Sequence, residues 1–138
     1  MANTLYNKFK ENLLSAGLNL TTLSLKFVAV DVTGGAANYT FDINHNFLDS
    51  VPAGARRATS PALAGKTILN GTFDANDIIN AFPSLSGAAI EAVILYVDTG
   101  VETTSRLIAY FDTGGGLPFS PTGNNTDLVF NAAGIFSL

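Results

Sequence analysis

Between Thr4 and Ala16 the apolar residues Leu5, Tyr6, Phe9, Leu13 and Ala16 recur at the spacing of one helix face. The pattern predicts a short amphipathic helix over about residues 4–16, with Asn3 or Thr4 as N-cap and Gly17 as the stop. Beyond it the pattern changes to alternation. Leu23, Leu25 and Phe27 alternate with polar neighbours before the run turns apolar on both faces up to Val32, which predicts a strand with a buried far end, closed by Gly34-Gly35. Tyr39–Ile43 is a candidate second strand.

From Asn44 through Pro52-Ala53-Gly54 to Pro61 the chain shows no period and reads as irregular. Lys66–Leu69 and Thr72-Phe73 flank Asn70-Gly71, a strong signal for a two-residue hairpin turn. Asp74–Asn80 reads as a helical turn. Ala89–Val97 and Arg106–Phe111 are the clearest strands, expected to pair as an antiparallel hairpin. A loop over Gly114–Asn125 leads to a strand at Asp127–Asn131 and an apolar end, Ile135-Phe136-Ser137-Leu138. One helix followed by about seven short strands, with no long crossover helix, predicts a mainly β fold. The expectation is a single antiparallel β-sandwich or barrel-like domain spanning residues 1–138 with one short N-terminal helix.

Composition changes the picture at the surface. The 138 residues match one ordinary core, and 47% are hydrophobic, but charged residues reach only 13%, against about 25% in average soluble chains. Thr, Asn and Ser together are twice as numerous as Asp, Glu, Lys and Arg. Neutral hydroxyls and amides are far easier to desolvate than charges, so such a surface suits extensive contact between subunits. The net charge of −4 argues against nucleic acid, whose recognition needs clustered cations. Cysteine is absent, which removes disulfides, thiolate zinc sites and thiol nucleophiles. The first residues lack the basic and apolar segments of a signal peptide, and no apolar run approaches a membrane span. The expected setting is therefore the cytoplasm, without a membrane partner.

Candidate chemistry is sparse. Asp98-Thr99-Gly100 and Asp112-Thr113-Gly114 repeat the short motif of aspartic proteases. They stand at the ends of an expected hairpin with no lobe around either copy. Each reads instead as a strand-ending turn, in which Asp bonds the nearby backbone and Gly takes a positive φ. His45, the single histidine, has no Gly-x-Ser-x-Gly elbow to serve. Asp74, Asn76 and Asp77 lack the glycine and terminal glutamate of a calcium loop and read as a helix cap. Gly114-Gly115-Gly116-Leu117-Pro118 is not followed by the Lys-Ser/Thr of a phosphate loop. The reading assigns no catalytic, cofactor-binding or metal-binding residue.

Candidate partner contacts are Tyr6, Phe9, Arg56, Arg57, Ile135, Phe136 and Leu138. Tyr6 and Phe9 form the apolar stripe of the helix, whose ordinary destination is the core. Arg56-Arg57 is the one adjacent basic pair, expected on a loop, solvated or facing an acidic neighbour, and replaceable without loss of the fold. The last four residues must be buried in the chain's own sheet or beneath a neighbour. Self-association as a closed cyclic trimer is expected from the low charge and apolar terminus.

Several segments resemble one family across nearly the whole chain. Met1–Lys8, Leu25–Asp31, Phe47–Arg56, Asp98–Val101, Thr104–Tyr110 and Gly116–Pro118 are similar to small virion proteins of tailed bacteriophages, differing from that pattern at Gly34–Ile43 and Asn70–Asn80. The resemblance implies a non-enzymatic virion structural protein, assembled in the host cytoplasm. Its leading role would be a capsid decoration or cement subunit bridging major capsid protein. A tail, baseplate or head-fibre component is the alternative within that class. Apart from the resemblance, and from another class, stands a host-glycan-binding module, with Tyr39 and Tyr96 as candidate stacking aromatics.

Overall fold

The computed structural model describes residues 3–113 and 117–138. Met1, Ala2 and the glycines at 114–116 lie outside the described residues, and with them the start of the expected Gly114–Asn125 loop and its glycine run. The chain runs through β1 (Thr4–Leu5), α1 (Asn7–Leu14), β2 (Leu25–Val30), β3 (Arg56–Thr59), β4 (Thr67–Leu69) and β5 (Thr72–Asp74). It continues through β6 (Ile78–Phe82), β7 (Ala92–Val97), β8 (Leu107–Phe111), β9 (Thr126–Leu128) and β10 (Phe136–Ser137). The fold is mainly β and antiparallel, a sandwich-like arrangement of several sheets and not a closed barrel.

The five-stranded sheet has the order β1-β8-β7-β2-β3. Every residue of β7 is buried, because both faces of this central strand are covered and neither side can alternate with solvent. On one face Ala29, Val93 and Phe111 line up, the Phe27 ring lies 6.1 Å from that of Phe111, and Phe130 stacks on Phe27 with ring centres 5.4 Å apart. On the other, Val28, Ile94 and Tyr110 line up, and the rings of Tyr39 and Phe41 lie against Tyr110. The expected β7–β8 hairpin is present, with Val93 opposite Phe111.

The hairpin at Asn70-Gly71 is also present. Both turn residues take positive φ, 52° and 76°, as a two-residue turn matched to strand twist requires. It joins β4 to β5, and β10 pairs on the far side of β5 to complete a three-stranded sheet.

Five expectations need correction. The helix begins at Asn7 rather than Thr4, because Thr4 and Leu5 pair with Tyr110 and Ala109 as β1; pairing to an open sheet edge overrides local helix propensity. Its end also shifts: Ala16 adopts the left-handed conformation, φ 59°, ahead of Gly17. Tyr39–Ile43 is not a strand, although Tyr39 is buried. Arg56–Thr59, read as irregular, is the edge strand β3. The Asp74–Asn80 segment runs into β6 rather than a helical turn: Asp77 accepts a hydrogen bond from the Phe130 N–H and Asp127 one from the Asn80 N–H. Those carboxylates tie β6 to the segment around β9 and do not cap a helix. The last expected strand is shorter and earlier, Thr126–Leu128.

Candidate functional site

The paired Asp-Thr-Gly segments can be placed first. Asp98 follows β7 and Asp112 follows β8, at opposite ends of an antiparallel pair. At ~3.3 Å per residue their carboxyls are roughly 20 Å apart, too far to share a proton within one chain. Asp98 accepts a hydrogen bond from the Gly100 N–H at 3.0 Å, and Gly100 takes φ 82°, the strand-ending turn expected from sequence. The Lys26 ammonium, 2.8 Å away, holds the Asp98 carboxyl below the usual carboxylate range, helped by the Gly100 N–H. Asp112 donates its backbone N–H to Asn3, and Gly114 lies outside the described residues. Among the described residues no group of three or more His, Asp or Glu side chains is arranged to hold a metal ion. No described helix is long and apolar enough to cross a membrane.

All four tyrosines are buried: Tyr6, Tyr39, Tyr96 and Tyr110. Tyr39 and Tyr96 therefore offer no exposed ring for stacking on a sugar. The Tyr6 and Tyr39 hydroxyls stand 2.8 Å apart, and the Tyr39 hydroxyl is 2.8 Å from His45 Nδ1. This polar thread runs from the core to a shallow surface depression lined by Asn38, Phe41, Asp42 and His45. Burial pushes the Tyr6 hydroxyl far above the ordinary phenol range, and raises Tyr96 as well. Tyr39 and Tyr110 are each pushed up to about 12, again chiefly by burial.

An alkaline limit to stability follows. The fold favours neutral phenols, so this contribution is complete below the unfolded value of about 10 and is lost as pH rises above it. Ultraviolet titration of the native chain is expected to show far less tyrosinate at pH ~10 than the unfolded chain shows; the bulk of it should appear together with loss of the β circular-dichroism signal. Graded ionisation near pH 10 with the fold intact would contradict the burial.

The sequence-chosen contact residues divide sharply. Tyr6 and Phe9 are fully buried, and Phe9 meets Phe136 edge-on at 5.8 Å. They belong to the core stripe and are not available to a partner while the fold is intact. Arg56 is not a free cation: its guanidinium donates to the Val51 and Leu48 carbonyls and to Glu102. Arg57 donates to Asp31 and to the Ala88 and Ser86 carbonyls. Strand β3 aims both guanidiniums at neighbouring backbone and carboxylates, so the solvated basic loop expected from sequence is replaced by two internal clamps. Ile135 and Phe136 are half-buried. The Ile135 N–H donates to the Phe73 carbonyl, and Phe136 stacks on Phe73. Leu138, by contrast, is 75% exposed.

Two apolar concavities remain. A cleft of about 470 Å³ lies where Phe27, Phe111, Phe119, Leu128, Phe130 and Ile135 converge. A groove of about 310 Å³ separates the end of α1 from the β4–β5–β10 sheet, lined by Leu13, Leu18, Ile68, Phe73, Phe136 and Leu138. Of its lining, Ile68 and Leu138 are exposed, and Leu14 at the end of α1 and Leu69 on β4 are exposed beside it without lining it. Leu14, Ile68 and Leu69 lie outside the sequence-chosen set, although one signal was present: Ile68-Leu69 puts apolar side chains on both faces of a short strand, where alternation would leave one polar. The arrangement offers apolar contact area. In comparisons with known proteins, no family model and no curated relative matches the chain.

Proposed function

We propose that this chain is a non-enzymatic structural subunit of a tailed-bacteriophage virion, a capsid decoration or cement protein that bridges major capsid subunits. The observation that carries the reading is the groove beside α1, where Ile68 and Leu138 remain exposed, with Leu14 and Leu69 exposed on the elements that flank it, on a protein with few charges. Exposed apolar area of this kind, bordered by uncharged polar residues, is what a subunit buries on assembly. The resemblance of its strand and turn segments to small phage virion proteins supplies the particle. Weak individual contacts suffice there, because each contact on a repeating shell raises the effective concentration for the next.

Quantifying the chain in purified particles tests this. On the order of hundreds of copies per virion is the expected result for a subunit repeated over a shell. About a dozen or fewer would move it to a tail, baseplate or vertex. Absence from the particle would overturn the reading.

A further inference from the structure

We infer that β4 is a self-recognition edge, on which two copies of this chain pair antiparallel about a twofold axis through Ile68. This goes beyond the virion reading and holds or fails independently of it.

The argument starts from hydrogen-bond phase. In the three-stranded sheet β5 is central and β4 is an edge. Phe73 sits opposite Ile68 on one side and Phe136 on the other. The Phe73 carbonyl accepts the Ile135 N–H, so the main chain of Phe73 faces β10 and not β4. Ile68 and Phe73 are therefore a non-hydrogen-bonded pair, as the two-residue turn between Leu69 and Thr72 also dictates. It follows that the N–H and C=O of Ile68 point outward. One residue offering both a donor and an acceptor on an open edge is self-complementary: two copies related by a twofold exchange both bonds at Ile68.

The side chains agree with that register. Phe136, Phe73 and Ile68 form one apolar row across the sheet. The row begins in the core at Phe73 and ends at Ile68, which is 55% exposed. Placing Ile68 opposite its symmetry mate continues the row through both sheets and covers the exposed end. Thr67 then faces Leu69 of the partner subunit, and Lys66 faces Asn70 of the partner subunit, so no like charges meet.

The usual protections of an edge strand are absent here. β4 has no proline, no charge and no bulge. The flanking Lys66 turns its ammonium inward to the Leu23 carbonyl. Among the described residues no other strand pairs with this edge.

Sedimentation of the purified full-length chain tests the inference through charge pairing. The wild type is expected to show a concentration-dependent monomer–dimer equilibrium. Ile68→Asp and Ile68→Lys each place like charges against one another at the axis, which should weaken the dimer about a hundredfold or more. Because Ile68 is an exposed position, both variants should keep the wild-type circular-dichroism spectrum and should melt as the wild type does at concentrations where it is monomeric. Mixed in equal amounts, they should form a heterodimer, a result that loss of apolar surface alone does not produce. A wild type that stays monomeric at high concentration would overturn the inference. So would a trimer or dimer indifferent to both substitutions, or a mixture that fails to associate.

Discussion

Arg57→Ala is expected to destabilise the fold by about 3–5 kcal/mol, because it strands a buried carboxylate. Asp31 is only 3% exposed in its side chain, and the Arg57 guanidinium, 16% exposed, lies 2.8 Å from it. That guanidinium also donates to the Ala88 and Ser86 carbonyls. One side chain thus joins β3 to the end of β2 and to the segment leading into β7. Removing it leaves the Asp31 charge inside the fold without its cation, while the Ser86 and Ala88 carbonyls, on exposed residues, turn to solvent. Urea unfolding of the purified variant reads the loss. The double variant Asp31→Asn with Arg57→Met should recover part of it, since neither charge then remains buried alone. A loss below about 1 kcal/mol in the single variant would mean that Asp31 reaches water or another partner. Sequence reading treats the arginine pair as replaceable; the clamps reverse that expectation for Arg57.

Deletion of residues 135–138 is expected to destabilise the chain by about 3–5 kcal/mol, the range for removing a large aromatic from a packed site. Phe136 is the ring against which Phe73 stacks and Phe9 packs edge-on. With it go the bonds from the Ile135 and Leu138 N–H groups to Phe73 and Gly71. Phe73, at the centre of the three-stranded sheet, would be opened to solvent. Leu138→Ser gives the contrast: its side chain is largely exposed, so a change within ~0.5 kcal/mol is expected. Comparing the two by thermal unfolding separates anchoring of the terminus from whatever Leu138 contributes on the surface. Equal losses would show that Leu138 is packed and not exposed.

Legibility followed the range of the interaction that decides each element. The Asn70-Gly71 hairpin could be read because two residues of backbone chemistry settle it. β7 and β8 could be read because they are buried on both faces and run continuously apolar, and β2 because it does so from Phe27 onward, after Lys26. β3 could not: its first residues, Arg56 and Arg57, look like a solvated pair, and only the positions of Leu48, Val51, Asp31 and Ser86 in space give them partners. β6 was hidden for the same reason, since Asp74, Asn76 and Asp77 imitate a helix cap while Asp77 bonds Phe130 far along the chain. Tyr6 and Phe9, candidate contacts on a stripe whose ordinary destination is the core, are buried, whereas Leu138, a candidate on the same ground of apolarity, is exposed. The open edge at Ile68 could not be found from sequence, because it depends on which strand ends each sheet and which way one peptide group faces.

The strand order also governs how fast the molecule can form. Strands β2 and β7, the most extensively paired in the main sheet, join residues more than sixty positions apart, whereas β4 and β5 are joined by a two-residue turn. Loop closure over such a separation makes β2–β7 pairing the slow event, placing refolding in the millisecond-to-second range of non-local β proteins. The hairpin forms in about 1–10 μs. During each refolding attempt, then, the Ile68 edge exists long before the core that supports it, and association of incomplete chains competes with folding. Dilution should raise the refolding yield more than it changes the refolding rate.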